Sequence, residues 1–332
     1  MTRLNRLKKC LEGCEHMTFI FRSPKVSIIK RSAEAQAVLD KIENYLNGNC
    51  DEPVQILVSF WKAQSAAFTY KEIRELILSG EVSNSLIEQW QQDYSNLVSG
   101  HLNIVWKQSL EAGAAESSVL SNIDGFIFHN SHNNVINWIK EHGAQFVTGV
   151  VDEQKEAIKV FLERSVIESM STDELAKLIR PCVGLTKPQA EANLKLYNSV
   201  KEKLKEEHPK MRKTTIERKA REASIKYAEK QHRSRADMIA RTETAHAYNQ
   251  GHDLGIRQAQ EQGFMGRMVK KWISSGDDKV CVICRALEGE ESEMDETFSL
   301  EGKGKLENRK FAPILIPPAH QRCACAVMYL EK

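Results

Sequence analysis

Apolar residues recur every three or four positions through most of the first 260 residues, which is the spacing of amphipathic helices. One stripe covers Ala33–Leu46 before Gly48, and another runs from Leu86 to Val105. Ahead of several stripes a Ser or Thr is followed three positions later by Glu or Gln, as in an N-terminal capping box. These pairs are Thr69–Glu72, Ser171–Glu174 and Thr186–Gln189, and Thr214 with Glu217 begins a further long helix. The pattern predicts a mainly helical chain.

The spacing changes after Gly266. Residues 267–274 alternate as a strand does, and Ala326–Leu330 is typical of a closing strand. Helices followed by short strands favour an α+β, predominantly helical fold: helical N-terminal and middle regions, then a small zinc-tied α+β C-terminal module. We expect an N-terminal helical domain at 1–150 and a second domain at 151–332, divided into a basic helical part at 151–240 and an α+β module at 241–332.

Composition narrows the class of protein. The 332 residues include only 8 Pro and 17 Gly, which excludes collagen-like and low-complexity chains. The apolar runs are much shorter than the roughly 20 residues of a membrane span, and the basic N-terminus lacks the apolar core of a secretory signal. We therefore expect synthesis in a reducing cytoplasm, where clustered cysteines indicate metal ligands rather than disulfides.

Charge is distributed unevenly along the chain. The formal net charge is +2, yet Lys201–Arg241 holds 14 Lys and Arg against seven Asp and Glu. A basic helix of this kind could neutralise phosphates of DNA, or it could be a solvated helix with internal ion pairs. The candidate phosphate contacts are Lys210, Arg212, Lys213, Arg218, Lys219 and Arg221.

The strongest chemical signal is a set of ligands near the C-terminus. Cys281-x2-Cys284 is followed by His320-x2-Cys323 and by Cys325, a supply of donors typical of a tetrahedral zinc site. Five candidates compete for four places. Because Cys323 and Cys325 would face opposite ways in an extended segment, we expect only one of them to bind. His320 with Cys323 has the more familiar spacing, and Cys325 is the alternative.

Three thiolates and one imidazole form a closed site, so we expect a structural zinc rather than a catalytic one. Neither H-E-x-x-H nor the H-x-E of zinc deaminases occurs in the chain. The other reading of the cluster is a group of reduced thiols without metal. The remaining cysteines, expected to be ordinary reduced thiols, are Cys10, Cys14, Cys50 and Cys182.

A polar stripe precedes this module, on a helical pattern that continues to Gly251. Steps of three and four place Glu243, His246, Asn249 and Asp253 on one side of a helix, next to Arg241. The stripe could serve acid–base catalysis, or it could be a buried network that fixes the helix to the sheet. Since no nucleophile accompanies it, we favour the structural role and expect no enzymatic activity.

Together these residues resemble the phage Mu F-like head-morphogenesis proteins, minor capsid components of tailed phages and prophages. The resemblance rests on Ala240-Arg241-Thr242-Glu243, Asn249, Gly251, Trp272, Cys281-x2-Cys284, Phe298 and Pro317-Pro318-x-His320-x2-Cys323-x-Cys325. One departure is Ala324, where the family usually has an arginine. The resemblance implies a virion protein, made in the host bacterial cytoplasm and located in the phage head.

The same resemblance implies association with the portal protein, other phage head proteins and the capsid interior, and a role in head assembly and in DNA packaging or ejection. The alternative from the residues themselves is a zinc-stabilised nucleic-acid-binding protein that uses segment 201–241. A metal-dependent enzyme built around Glu243 and His246 is the third candidate.

Overall fold

The computed structural model describes residues 31–168, 171–275, 280–300 and 314–332, with the side chains of 164–168 left out. Cys10 and Cys14, expected to be ordinary thiols, lie outside these ranges. The helices are α1 Ala33–Asn49, α2 Asp51–Ala67, α3 Tyr70–Ser79, α4 Asn84–Leu97, α5 Asn103–Ala115, α6 Asn133–Glu168, α7 Thr172–Ile179, α8 Lys187–Glu207, α9 Lys213–Glu261 and α10 Val282–Leu287. The strands are β1 Met268–Ile273, β2 Glu291–Glu293 and β3 Ala326–Glu331.

Shorter turns join some of these helices. A π-helical turn, Val98–Leu102, connects α4 to α5, so the long apolar stripe from Leu86 to Val105 belongs to two helices in direct succession. 3-10 turns occur at Leu120–Asn122 and Arg180–Cys182. The predicted class, α+β and mainly helical with a small C-terminal sheet, is confirmed.

Local capping explains where several helices begin. The Thr69 and Thr186 capping boxes both form, and the Ser171 side chain accepts a hydrogen bond from the N–H of Glu174. The long helix expected to begin at Thr214 and Glu217 is α9, which begins one residue earlier at Lys213, and its N-cap residue Arg212 makes no side-chain capping bond. The three capping positions predicted at Thr69, Ser171 and Thr186 are all N-caps of helices.

Helix α9 also continues ten residues past Gly251, which the sequence pattern placed at its end. This glycine lies at a close crossing of α9 over α5. A Cβ added to Gly251 would lie 2.0 Å from the backbone oxygen of Leu110, and one added to Gly113 would lie 1.9 Å from that of Tyr248. Both positions require glycine, because the two helix backbones are in direct contact and leave no space for a Cβ atom.

The three strands form an antiparallel sheet in the order β2-β1-β3. In its register Val269 faces Glu293 on one side and Leu330 on the other. Ile273 and Ala326 pack against α1 and α9 on one face, whereas the opposite face presents Trp272 to a second cluster that includes the cysteines. The sheet is thus covered on both faces.

The largest apolar core joins the helices of the first 150 residues to those that follow. It runs from Leu57 and Trp90 to Leu194 and Ala247, and α6 passes through residue 150 without a break. The division into domains at residue 150 stays a prediction. None of the described helices combines the length and apolar character required to cross a membrane.

Candidate metal centre

The first ligand pair lies at the turn that enters α10. Cys281 occupies the N-cap position, and its Sγ accepts a hydrogen bond from the backbone N–H of Cys284 at 3.3 Å. Cysteine binds metals as the thiolate. Cys284 is buried and Cys281 is half-buried. The Cys-x2-Cys spacing therefore brings two sulfurs to one turn.

The second group of ligands lies at the turn before β3. The N–H of Cys323 donates to the carbonyl oxygen of His320 at 3.1 Å, and Arg322 between them has a left-handed φ of 59°. His320 Nε2 is 3.3 Å from Cys284 Sγ, and Cys323 Sγ is 3.7 Å from the same sulfur. The turn closes the second group onto Cys284.

Two overlapping triads result. The donor atoms of Cys281, Cys284 and His320 lie within 4.8 Å of one another, and so do those of Cys284, Cys323 and Cys325. The expectation that Cys323 and Cys325 face opposite ways is wrong, because it assumes an extended segment. Strand β3 begins only at Ala326, after the turn. Which four of the five donors bind stays a prediction.

The spacing fits a tetrahedral ion. An ion about 2.3 Å from each sulfur and about 2.0 Å from an imidazole nitrogen holds two sulfurs about 3.8 Å apart, and sulfur and nitrogen about 3.5 Å apart. The Cys284–Cys323 distance of 3.7 Å and the Cys284–His320 distance of 3.3 Å are close to these values. The donors can therefore hold a metal with small adjustments, and their arrangement does not identify which metal.

The buried sulfurs already share their protons unequally. Hydrogen bonds from Cys284 and Cys325 lower the pKa of the Cys323 thiol well below its ordinary value. The pKa of Cys284 is raised because its thiol donates to Cys323. Three thiols thus stabilise one thiolate among them, and a cation in the same place would replace the remaining protons.

His320 is held in the tautomer that a metal requires. Its Nδ1 lies 2.8 Å from the carbonyl oxygen of Gln321, and because a carbonyl can only accept, Nδ1 carries the proton. Nε2 is left with its lone pair and lies beside Cys284. A second contact that fixes the ring of a ligating histidine is common in metal sites.

Helix α9 fixes the second ligand turn in place. Thr242 Oγ1 accepts from the N–H of Arg322 at 3.0 Å, and the Arg322 guanidinium pairs with Asp237 at 3.0 Å. Asn249 Nδ2 donates to the carbonyl oxygen of Cys325 at 3.2 Å. Sequence reasoning nominated Asn249 but missed the roles of Thr242 and Asp237. Thr242 belongs to the motif Ala240–Glu243 on which the family resemblance rests, but that motif did not indicate its partner, and Asp237 was marked only by its position on a helix rich in polar residues.

The nominated polar stripe is divided among different neighbours. Arg241 donates to Asn47 on α1, whereas Glu243 Oε2 lies 2.6 Å from His142 Nε2 on α6. Asp253 accepts from the hydroxyl of Tyr329 on β3 at 3.0 Å. The structure therefore does not gather Arg241, Glu243, His246 and Asn249 into one network.

His246 and His142 form an aromatic cluster with Trp138. The two imidazoles meet edge to face with centroids 4.7 Å apart, and the His142 ring stacks on Trp138 at 4.6 Å. Burial, and then the neighbouring His142, lower the pKa of His246 to about 4. His142 was missed because it lies 101 residues before Glu243, beyond any local pattern.

The nominated phosphate contacts lie at the connection of α8 to α9 and along the first turns of α9. Lys210, Arg212 and Lys219 are exposed. Arg218 is exposed and pairs with Glu222 at 2.6 Å, whereas Arg221 is partly buried and pairs with Glu174 at 3.1 Å. The remaining candidate, Lys213, is exposed and lies 3.8 Å from Glu217. The exposed cations Lys210, Arg212, Lys213, Arg218 and Lys219 form a basic edge. Arg221 does not belong to it, because its side chain is partly buried against Glu174.

Comparison with protein families gives one match. The family described as Phage Mu protein F like protein matches residues 156–328, which is more than half of the chain. The matched range begins within α6 and contains every nominated metal ligand. No curated protein matches the chain, and no solved structure does.

Proposed function

Because the chain belongs to the Phage Mu protein F like family, we propose that it is a minor capsid protein of a tailed phage or prophage. The family supports a role in phage head morphogenesis, with other phage head proteins as partners and the virion as location. The proposal adds association with the portal and the capsid interior, and action in DNA packaging or ejection. The single observation that carries it is the match over residues 156–328.

The proposed metal is a structural zinc. Four of the five donors would hold it, and zinc bound to thiolates and imidazole would crosslink the α10 turn to the segment before β3. The support is the pair of triads that share Cys284. Since a full set of protein ligands would leave no place for water or substrate, the proposed role is architectural and not enzymatic.

The assembly role is tested in cells that carry the phage or prophage genome with this coding sequence deleted. We expect fewer DNA-filled heads by electron microscopy, restored by the wild-type chain supplied in trans. Mass spectrometry of purified heads should find the chain at low copy number, and crosslinking should join it to the portal. Normal heads without the chain would overturn the proposal. A neighbourhood that lacks portal and major-capsid genes would argue against it as well.

A second candidate is DNA binding by the basic edge between α8 and α9. It is favoured by the exposure of Lys210, Arg212 and Lys213, which lie within four positions of one another. If these three contact phosphates of a DNA duplex, affinity should fall roughly fortyfold between 50 and 200 mM salt.

Replacing all three residues by Glu should abolish that binding at low salt. A matched control changes three exposed lysines elsewhere on the surface, Lys71, Lys107 and Lys140, to Glu. Absence of binding at low salt by the unmodified chain would remove this candidate and would leave the assembly role untouched. Equal loss in both triple variants would show that only the total charge of the protein matters.

A further inference from the structure

A groove crosses the surface between α2, the turn Arg180–Cys182 and α9. Two adjoining cavities, of about 420 and about 220 Å³, form it. Both are lined by Arg180, Pro181 and Ile225, so the two volumes meet at these residues. We name the combined depression the α2–α9 groove. None of its lining residues is one of the five candidate metal ligands.

The floor of the α2–α9 groove is apolar. Val58, Pro181 and Ile225 line it and are only half-buried, and at one end Tyr70 keeps 44% of its surface exposed. Apolar side chains gathered in a concavity leave surface that a partner can cover with a gain in free energy. The shape and the floor suit a narrow, apolar occupant.

The rim of the groove is positively charged. Its cationic residues are Lys62, Lys177, Arg180, Arg221 and Arg233, and the one carboxylate among its described lining residues is Glu229. Arg221 is already paired with Glu174. Within the described part of the chain Lys62, Lys177 and Arg233 form no ion pair.

Arg180 stands where the two cavities meet. One of its terminal nitrogens donates to the carbonyl oxygen of Phe68 at 2.6 Å, which holds the side chain in place. Its Nε is buried and has no acceptor among the described residues. The rim thus offers cations that are positioned and not neutralised.

We propose that the α2–α9 groove binds an acidic amphipathic segment of a partner protein. Its carboxylates would lie on the rim cations, and its apolar side chains would cover the floor, in the manner of a helix in a groove. A nucleic acid would satisfy the rim through its phosphates but would leave the apolar floor in water. The proposal rests on the groove alone and does not depend on the assembly role.

The test measures binding of a labelled peptide to the full chain by fluorescence anisotropy. The probe is a synthetic peptide of about 18 residues with Leu at helical spacing on one face and Glu on the other. A second peptide has the same composition with the Leu spacing scrambled. We expect the amphipathic peptide to bind at least about tenfold more tightly than the scrambled one, because only the first presents an apolar face.

Two double variants locate the site. Lys62→Glu with Arg233→Glu reverses charge on the rim and should weaken binding by at least about tenfold. Lys226→Glu with Lys230→Glu makes the same change at exposed positions of α9 that do not line the groove and should leave affinity unchanged. All four side chains are exposed, so folding should survive in both proteins.

A third variant tests the apolar floor at constant rim charge. Ile225→Ser should weaken binding of the amphipathic peptide and leave binding of the scrambled peptide unchanged. Equal affinity for the two peptides, or equal loss in the two double variants, would overturn the proposal. Displacement of the peptide by a short DNA duplex at lower concentration than by unlabelled peptide would overturn it too, in favour of nucleic acid.

Discussion

Replacing Cys284 by Ser should remove the metal from the C-terminal module. Of the described donors, Cys284 is the one that belongs to both triads, and its Sγ lies 3.3 and 3.7 Å from the two nearest donor atoms of the second turn. A serine hydroxyl at this position remains protonated at neutral pH and is a poor ligand for zinc. No combination of the other described donors forms a triad without it.

The expected loss of stability follows from linkage between metal binding and folding. An ion present at a thousand times its dissociation constant stabilises the folded state by about 4 kcal/mol. For a chain of 332 residues, an unfolding entropy of about 2.1 cal/mol/K per residue makes each kcal/mol worth about 1.4 °C in unfolding temperature. We therefore expect the variant to unfold about 6 °C below the wild-type chain.

The assay combines metal analysis with calorimetry. The wild-type chain should carry about one zinc per molecule, and a chelator should lower its unfolding temperature to that of the variant. The matched control is Cys50→Ser, a buried cysteine outside the cluster, which should keep its metal and its response to chelator. A wild-type chain purified without metal, whose unfolding temperature does not respond to added zinc, would refute the reasoning.

Four further substitutions test the fold. Gly251→Ala should destabilise the chain by about 3 kcal/mol, because its Cβ would lie 2.0 Å from the backbone oxygen of Leu110, whereas Gly149→Ala on an open helix surface should stabilise it by about 0.8 kcal/mol in urea unfolding. Arg235→Met should cost about 2 kcal/mol in the same assay, because removal of the guanidinium leaves the buried carbonyl oxygen of Gly184 without its donor, whereas the Glu153 carboxylate is 41% exposed and is hydrated by solvent. Burial lowers the pKa of His246 to about 4, so the unfolded chain takes up a proton before the folded one. Stability should be fully present above about pH 6.5 and decline by about 3 kcal/mol towards pH 4, with a shallower decline in His246→Gln; an unchanged slope would contradict it.

Features set by neighbouring residues could be predicted from the sequence. The Thr69 and Thr186 caps form because a hydroxyl and a carboxylate or amide three positions apart meet across one helical turn. The alternation at 267–274 predicts a strand because successive side chains of a strand point to opposite faces of the sheet, which is also a property of neighbouring residues. The Cys281–Cys284 pair also follows from spacing alone, since a turn into a helix brings both sulfurs together.

Features set by contacts between distant segments could not be predicted in this way. The pairing of His142 with Glu243 depends on how α6 packs on α9. The local sequence around either residue does not indicate which residue it contacts. Gly251 suggests the end of a helix, because glycine is common there. Only its contact with Leu110 shows that it allows two helices to cross closely. The direction of Cys325 depends on the left-handed backbone of Arg322, a conformation that an arginine rarely adopts and that no local pattern indicated.

Helix α9 gives the metal centre a particular position in the stability of the chain. Its residues Ala220, Ala228 and Ala236 belong to the large helical core, and from Ser234 onward the helix contacts the sheet and the second ligand turn. The turn before β3 is joined to α9 by few hydrogen bonds, through Thr242, Asp237, Asn249 and the carbonyl oxygen of Ser234. Since these neutral and surface contacts are each worth about 1 kcal/mol, the proposed zinc crosslink between the two ligand turns would be the larger contribution there. Loss of metal should therefore loosen the sheet and ligand turns first, while the helical core and the α2–α9 groove remain folded.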